Sequence, residues 1–192
     1  MAYLARTNSN LDYDLIWHAL EAGEKVAVFE GQNDRYVETF PTTHTRGEKS
    51  LGYNIIENRR RLKLKYQKLS EKKIQELVRE KGREEITTTY PQKLFSYGGD
   101  SAPLDPDHVR DTEILCHEAT FLNEQDRETI THSTLEEAIK VAREAGVKRE
   151  LYAFHISSRY RKELKQIGAE VEKLKLDFTI HLVPPGRICR YE

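Results

Sequence analysis

Cysteine is nearly absent from this 192-residue chain. Cys116 and Cys189 are too few for a disulfide framework and read as reduced thiols of a cytosolic protein. No apolar run approaches 18 residues and no charged-then-apolar leader opens the chain, so neither a membrane span nor a secretory signal is expected. Net charge is lacking too: it is −1, although 33% of the residues are charged. Affinity for nucleic acid therefore has to rest on local patches rather than on overall charge. The single methionine and the abundant Lys and Glu suit a heat-adapted organism. No internal repeat, low-complexity tract or Pro/Gly linker divides residues 1–192, which read as one domain or a large piece of one.

What is present is an alternation of short strands and helices. Leu15, Ile16, Ala19 and Leu20 predict a helix over 11–22 ending at Gly23. Lys25–Glu30 and Arg35–Thr43 alternate as strands around the turn cluster Gly31-Gln32-Asn33-Asp34, the pattern of a hairpin. Leu51–Glu57 is a further strand. A helix begins at Ser70, whose hydroxyl suits an N-cap, and Gly82 lies where its C-cap belongs. Strands are expected at Leu94–Tyr97, Glu113–Cys116, Leu151–Phe154 and Phe178–Val183. Helices follow from the stripes Leu135, Ala138, Ile139, Ala142 and Leu164, Ile167, Val171, Leu174, the second spanning about Tyr160–Lys175. A hairpin half followed by alternating β and α predicts a layered α/β fold.

Chemistry-bearing residues gather at the ends of these strands. His44 follows the hairpin, Asp100 follows LFSYGG, His117 and Glu118 follow EILC, and His155 follows LYAF. Strand C-termini are where layered α/β proteins present side chains to a shared cleft. Imidazole nitrogen and carboxylate oxygen suit zinc, and a carboxylate can bridge two ions. Several of these residues have a structural alternative. Ser133 and Thr134 are candidate helix caps, with Glu136 or Glu137 completing a capping box. His117 reads equally as a satisfied core or loop histidine, and His18, His108 and His181 as surface or packing residues. Ser157, Ser158 and Arg159 offer hydroxyl and guanidinium groups to a phosphate, or simply form the turn into the last long helix. Residues 59–73 carry eight basic side chains, Arg59, Arg60 and Arg61 among them, against Glu71 alone. That is the footprint of a phosphate backbone, or else a solvated strand edge that lysines protect from aggregation.

The motifs FPTTHT…LGY, SYGGDS, CHEATF, THST and FHISSRY, in that order, resemble those of the metallo-β-lactamase superfamily, ribonuclease Z (tRNA 3′-endonuclease) branch. The resemblance runs from about Gly23 to Val183. It implies the C-terminal part of an αββα sandwich, with His44 a ligand of one metal, Asp100 the bridging carboxylate and His155 the last ligand of a second. It implies Glu118 and His132 as the pair that delivers a proton to the leaving oxygen. The implied activity is hydrolysis of an RNA phosphodiester, in a tRNA precursor, by water activated at two zinc ions.

The family's HxHxDH signature is absent, and no H-x-H occurs in the 192 residues. Each metal would keep one histidine plus the shared Asp100, fewer protein ligands than a catalytic zinc site uses. The expectation is therefore a single partial domain, 1–192, completed by a partner. A homodimer or a complementing N-terminal half would cover a sheet face otherwise left bare. Two alternatives stand beside the hydrolase: a catalytically inactive nucleic-acid-binding or assembly subunit, and a hydrolase of another small phosphodiester or ester.

Overall fold

The computed structural model describes residues 18–29 and 32–187. Seven strands form one sheet in sequential order: β1 (Lys25–Phe29), β2 (Gln32–Thr42), β3 (Ser50–Leu62), β4 (Thr87–Tyr97), β5 (Ile114–Glu118), β6 (Glu150–Phe154) and β7 (Thr179–Leu182). β1 to β4 are antiparallel neighbours; β4 to β7 run parallel. Antiparallel neighbours can be joined directly, as the short β1–β2 and β2–β3 connections are, while the parallel pairs need crossovers. Between β5 and β6 the crossover is α3 (Leu135–Ala145), and between β6 and β7 it is α4 (Leu164–Val171). The β3–β4 connection carries α1 (Glu71–Lys81) and the short α2 (Arg83–Ile86). Among the described residues no helix is long and apolar enough to cross a membrane.

Helix boundaries follow local chemistry. Ser70 caps α1 by accepting from the Lys73 N–H, and Gly82, at φ 81°, ends it. Thr134 and Glu137 form a complete capping box at α3, which stops at left-handed Gly146. The apolar stripe of α3 buries Leu135, Ala138, Val141, Ala142 and Ala145 against the sheet.

Other boundaries depart from the sequence reading. The expected helix over 11–22 falls mostly outside the described residues, and 18–22 are not helical. Gln32, Asn33 and Asp34 already belong to β2 rather than to the turn. β3 and β4 are far longer than expected, because Asn58–Leu62 pair with Thr87–Pro91. Polar, charged segments carry little strand signal, and pairing with a neighbour overrides it. The last long helix is shortened to α4, preceded by a 3₁₀ turn at Ser158–Tyr160.

The two sheet faces differ. Leu115 and Leu151, paired across β5 and β6, are fully buried beneath α3. Each contributes about 1.5–3 kcal/mol by leaving water. Ser96 donates to Asn54 Oδ1 at 2.6 Å and Asn54 donates to the His108 carbonyl at 3.0 Å, so this face buries its polar groups with partners. The opposite face presents Tyr53, Tyr97, Cys116 and Tyr152 as successive cross-strand partners. Tyr53 and Tyr97 are each 38% exposed among the described residues.

Gly52 lies opposite Phe40 across β2 and β3, and the buried Phe40 ring occupies the space above it. A Cβ at Gly52 would meet that ring at 2.2 Å. Gly52→Ala should therefore expel Phe40 from the core and cost about 1–3 kcal/mol in chemical denaturation.

Candidate active site

β2 and β4 both run antiparallel to β3, and β4, β5 and β6 are parallel, so four strands end at one edge. His44, Asp100, Glu118 and His155 all stand at or just beyond those ends. Backbone hydrogen bonds lash the segments together. The Ala102 N–H donates to the Thr43 carbonyl at 2.7 Å, Ala119 to Phe154 at 2.8 Å, and Ser157 to Thr120 at 3.1 Å. Gly99 takes φ 66° in the turn that presents Asp100. His155 takes φ 59°, a conformation costly for a side-chain-bearing residue and typical of functional sites.

Glu118 is fully buried at the centre. Its Oε1 accepts from the Ser133 N–H at 3.0 Å, the Ser101 N–H at 3.3 Å and His132 Nδ1 at 2.9 Å. Its Oε2 accepts from the N–H and the hydroxyl of Thr120, both at 2.8 Å. His132 sits on the loop before α3, with its ring 5.0 Å from that of His44 and 5.3 Å from that of His155. His155 Nε2 lies 3.3 Å from Asp100 Oδ2, and its Nδ1 lies 2.9 Å from Thr120 Oγ1. The sequence-predicted residues His44, Asp100, Glu118, His132 and His155 thus form one cluster. Among the described residues, Glu118, His132 and His155 bring ligand-type atoms within 4.8 Å of one another.

The donors fit a metal ion. Tetrahedral zinc with bonds of about 2.0–2.1 Å sets its ligand atoms about 3.3–3.4 Å apart, and Asp100 Oδ2 and His155 Nε2 have that separation. Among the described residues His44 Nδ1 is buried without a hydrogen-bond partner, an unusual state for an imidazole nitrogen unless a ligand belongs there.

His117 takes the structural role. It is fully buried, its Nδ1 donating to the Glu118 carbonyl at 2.7 Å and its Nε2 accepting from the Leu104 N–H at 3.2 Å. Burial, opposed by that carbonyl contact, holds its pKa below the usual imidazole value. His108 stacks on Phe40 and His181 on Tyr152. Ser157 and Arg159 adjoin the cluster. Arg159 Nε donates to Ser157 Oγ at 3.2 Å, while its guanidinium pairs with Glu128 at 2.7 Å. Ser158 is exposed.

Arg59, Arg60 and Arg61 do not join the site. They lie six to eight residues along β3 from Tyr53, on the order of 20 Å away at about 3.3 Å per residue. Arg59 is ion-paired with Glu57 and Glu113, and Arg60 with Glu84, while Arg61 lies over Tyr90.

Sequence reasoning missed two participants. Thr120, inside the CHEATF motif, touches three site side chains, a contact its motif position alone could have signalled. Arg127 donates to the His132 carbonyl at 3.0 Å and to Glu137 Oε1 at 2.9 Å, fixing the His132 loop to the cap of α3. Nothing in the linear pattern marks it.

No protein-family model matches the chain. Ribonuclease Z of Saccharolobus solfataricus is 36% identical over 155 residues, covering 71% of this chain and 52% of the relative. Ribonuclease Z of Archaeoglobus fulgidus is 35% identical over 190 residues, covering 85% and 58%. The chain spans about half the length of these relatives. Among solved structures, a diphosphatase from the PhnP family covers all of this chain and 55% of its own, with a TM-score of 0.54 at 16% identity, a likeness of fold alone. The expected α/β architecture is present, with seven strands in one sheet.

Backbone N–H groups can only donate, so both Glu118 oxygens must serve as acceptors. Glu118→Gln forces an amide NH₂ against donors at one end or the other. The expected loss is about 1–3 kcal/mol of stability, measured by denaturant unfolding.

Proposed function

We propose that this chain, ribonuclease Z-like in sequence and metallo-β-lactamase-like in fold, supplies the C-terminal half of a metal-dependent phosphodiesterase acting on RNA, of the kind that trims tRNA precursors. The observation that carries this reading is the buried Glu118–His132 pair at 2.9 Å, beside Asp100 and His155 at 3.3 Å. Named relatives of this sequence are ribonucleases Z.

In this reading His44, Asp100 and His155 hold zinc, two ions in a complete site. The metal, when bound, lowers the pKa of water and absorbs charge developing on phosphate. The chain's own residues do the rest. Glu118 fixes the ring of His132 through Nδ1, leaving Nε2 to pass a proton to the leaving oxygen. Ser157, Ser158 and Arg159, next to the site, steady a phosphate. Arg59, Arg60 and Arg61, distant on β3, add nonspecific attraction to a long RNA rather than contact with the scissile bond.

The missing HxHxDH ligands come from a complementing N-terminal half; that half, or a second copy of the chain, docks on the face bearing Tyr53 and Tyr97. Tyr53 and Tyr97, each 38% exposed on that face, are the side chains such an interface would bury. The protein acts in the cytoplasm, where its two cysteines stay reduced. The absence of any H-x-H favours a second reading: a silent nucleic-acid-binding or assembly subunit that kept the scaffold.

Metal analysis and cleavage assays separate the two. Co-expressed with a chain carrying HxHxDH, the assembly should hold about two zinc ions per site and cleave precursor tRNA. His132→Ala should keep the metal and lose roughly 10²–10⁴-fold in cleavage rate. An assembly that takes up no metal would leave the silent-subunit reading standing.

A further inference from the structure

We propose that Thr120 is a positioning residue that sets the tautomer of His155, so that its Nε2 lone pair is directed at the same cation as Asp100. The inference deepens the reading above and rests on His155 and Asp100 being metal ligands.

The argument is one of counting protons. The Thr120 hydroxyl has three neighbours: Glu118 Oε2 at 2.8 Å, His155 Nδ1 at 2.9 Å and His132 Nδ1 at 3.3 Å. A hydroxyl donates once and accepts up to twice. Glu118 Oε2 already accepts from the Thr120 N–H, and its partner Oε1 accepts from two further backbone N–H groups. The carboxylate is thus an acceptor at both ends, and a hydroxyl oxygen 2.8 Å from Oε2 must point its proton at it. With that proton spent, Thr120 Oγ1 can only accept from His155, which therefore carries its proton on Nδ1. The same logic gives His132 a proton on Nδ1, donated to Glu118 Oε1 at 2.9 Å.

The consequence falls on the far side of the ring. A neutral His155 protonated on Nδ1 has a bare lone pair on Nε2, and Nε2 faces Asp100 Oδ2 at 3.3 Å. Two acceptors at that distance repel unless a cation lies between them. Thr120 thereby makes the Asp100–His155 contact unfavourable by itself and favourable around a metal. Support of this kind from outside the ligand set commonly contributes 10–100-fold to metal affinity.

The test uses the uniformly ¹⁵N-labelled full chain. Long-range ¹H–¹⁵N spectra of the metal-free protein at pH 8 report each histidine's tautomer, and chelator competition reports zinc affinity. The wild type should show His155 protonated on Nδ1. Thr120→Val should lose that preference and bind zinc 10–100-fold more weakly, while Thr120→Ser should retain both properties. A wild-type His155 protonated on Nε2 overturns the proposal without any variant. So does a folded Thr120→Val with unchanged tautomer and zinc affinity. Should Thr120 prove to set the tautomer while zinc leaves the His155 signals unmoved, the ligand reading fails instead, and the proposal falls with it.

Discussion

One buried carboxylate organises the whole edge of the sheet. Glu118 sits at the end of β5 and accepts from the loop after β4 through Ser101, from its own loop through Thr120, and from the loop before α3 through His132 and Ser133. A charge without water is tolerable only when its hydrogen-bonding capacity is filled. The requirement that keeps Glu118 satisfied therefore also fixes three loops relative to one another. Asp100, His132 and His155 inherit their positions from it, because each lies within two residues of a segment that donates to Glu118 or to Thr120. A site built this way is stiff where chemistry needs it, although most of its parts lie on loops.

The sheet makes that convergence possible. Parallel strands place equivalent ends at one edge, and here three consecutive parallel pairings follow an antiparallel half in which β2 already points the same way as β4. His44, early in the chain, therefore meets His132, 88 positions later, without any long excursion. The buried face is completed by α3, α4 and the Leu104–Val109 segment, while the other face keeps its tyrosines at the surface. The asymmetry is that of one layer of a two-sheet sandwich.

Much of this was legible in the sequence because it depends on local signals. Ser70, Thr134, Gly82 and Gly146 mark helix ends by their own backbone and hydroxyl chemistry, and each does so in the structure. His44, Asp100, Glu118 and His155 were legible because each stands at a strand end, and strand order brought them together, whereas His132 was legible only through the motif resemblance. Length was not legible. Asn58–Leu62 are strand because Thr87–Pro91 run beside them, a nonlocal fact no window of residues contains. Nor was the remoteness of Arg59–Arg61, which only that long β3 reveals. Thr120 escaped notice for a related reason: a hydroxyl's importance lies in what surrounds it, and its three partners come from positions 118, 132 and 155.

The same geometry bears on whether the scaffold outlived its chemistry. A protein that needed these residues for stability alone would gain by turning His155 so that a proton faced Asp100, converting two opposed acceptors into a hydrogen bond. The structure instead uses Thr120 to turn the proton inward, and leaves His44 Nδ1 buried with no hydrogen-bond partner among the described residues. Both arrangements cost stability in an empty fold, since an unsatisfied buried polar group is expensive. Both become favourable once a cation joins Asp100 and the imidazoles. Local conflicts of this kind are where a sequence gives way to function, and here they fall on the residues that the motif order singles out. The balance of these contacts therefore favours a metal-holding site over an inherited ornament, whichever chain completes it.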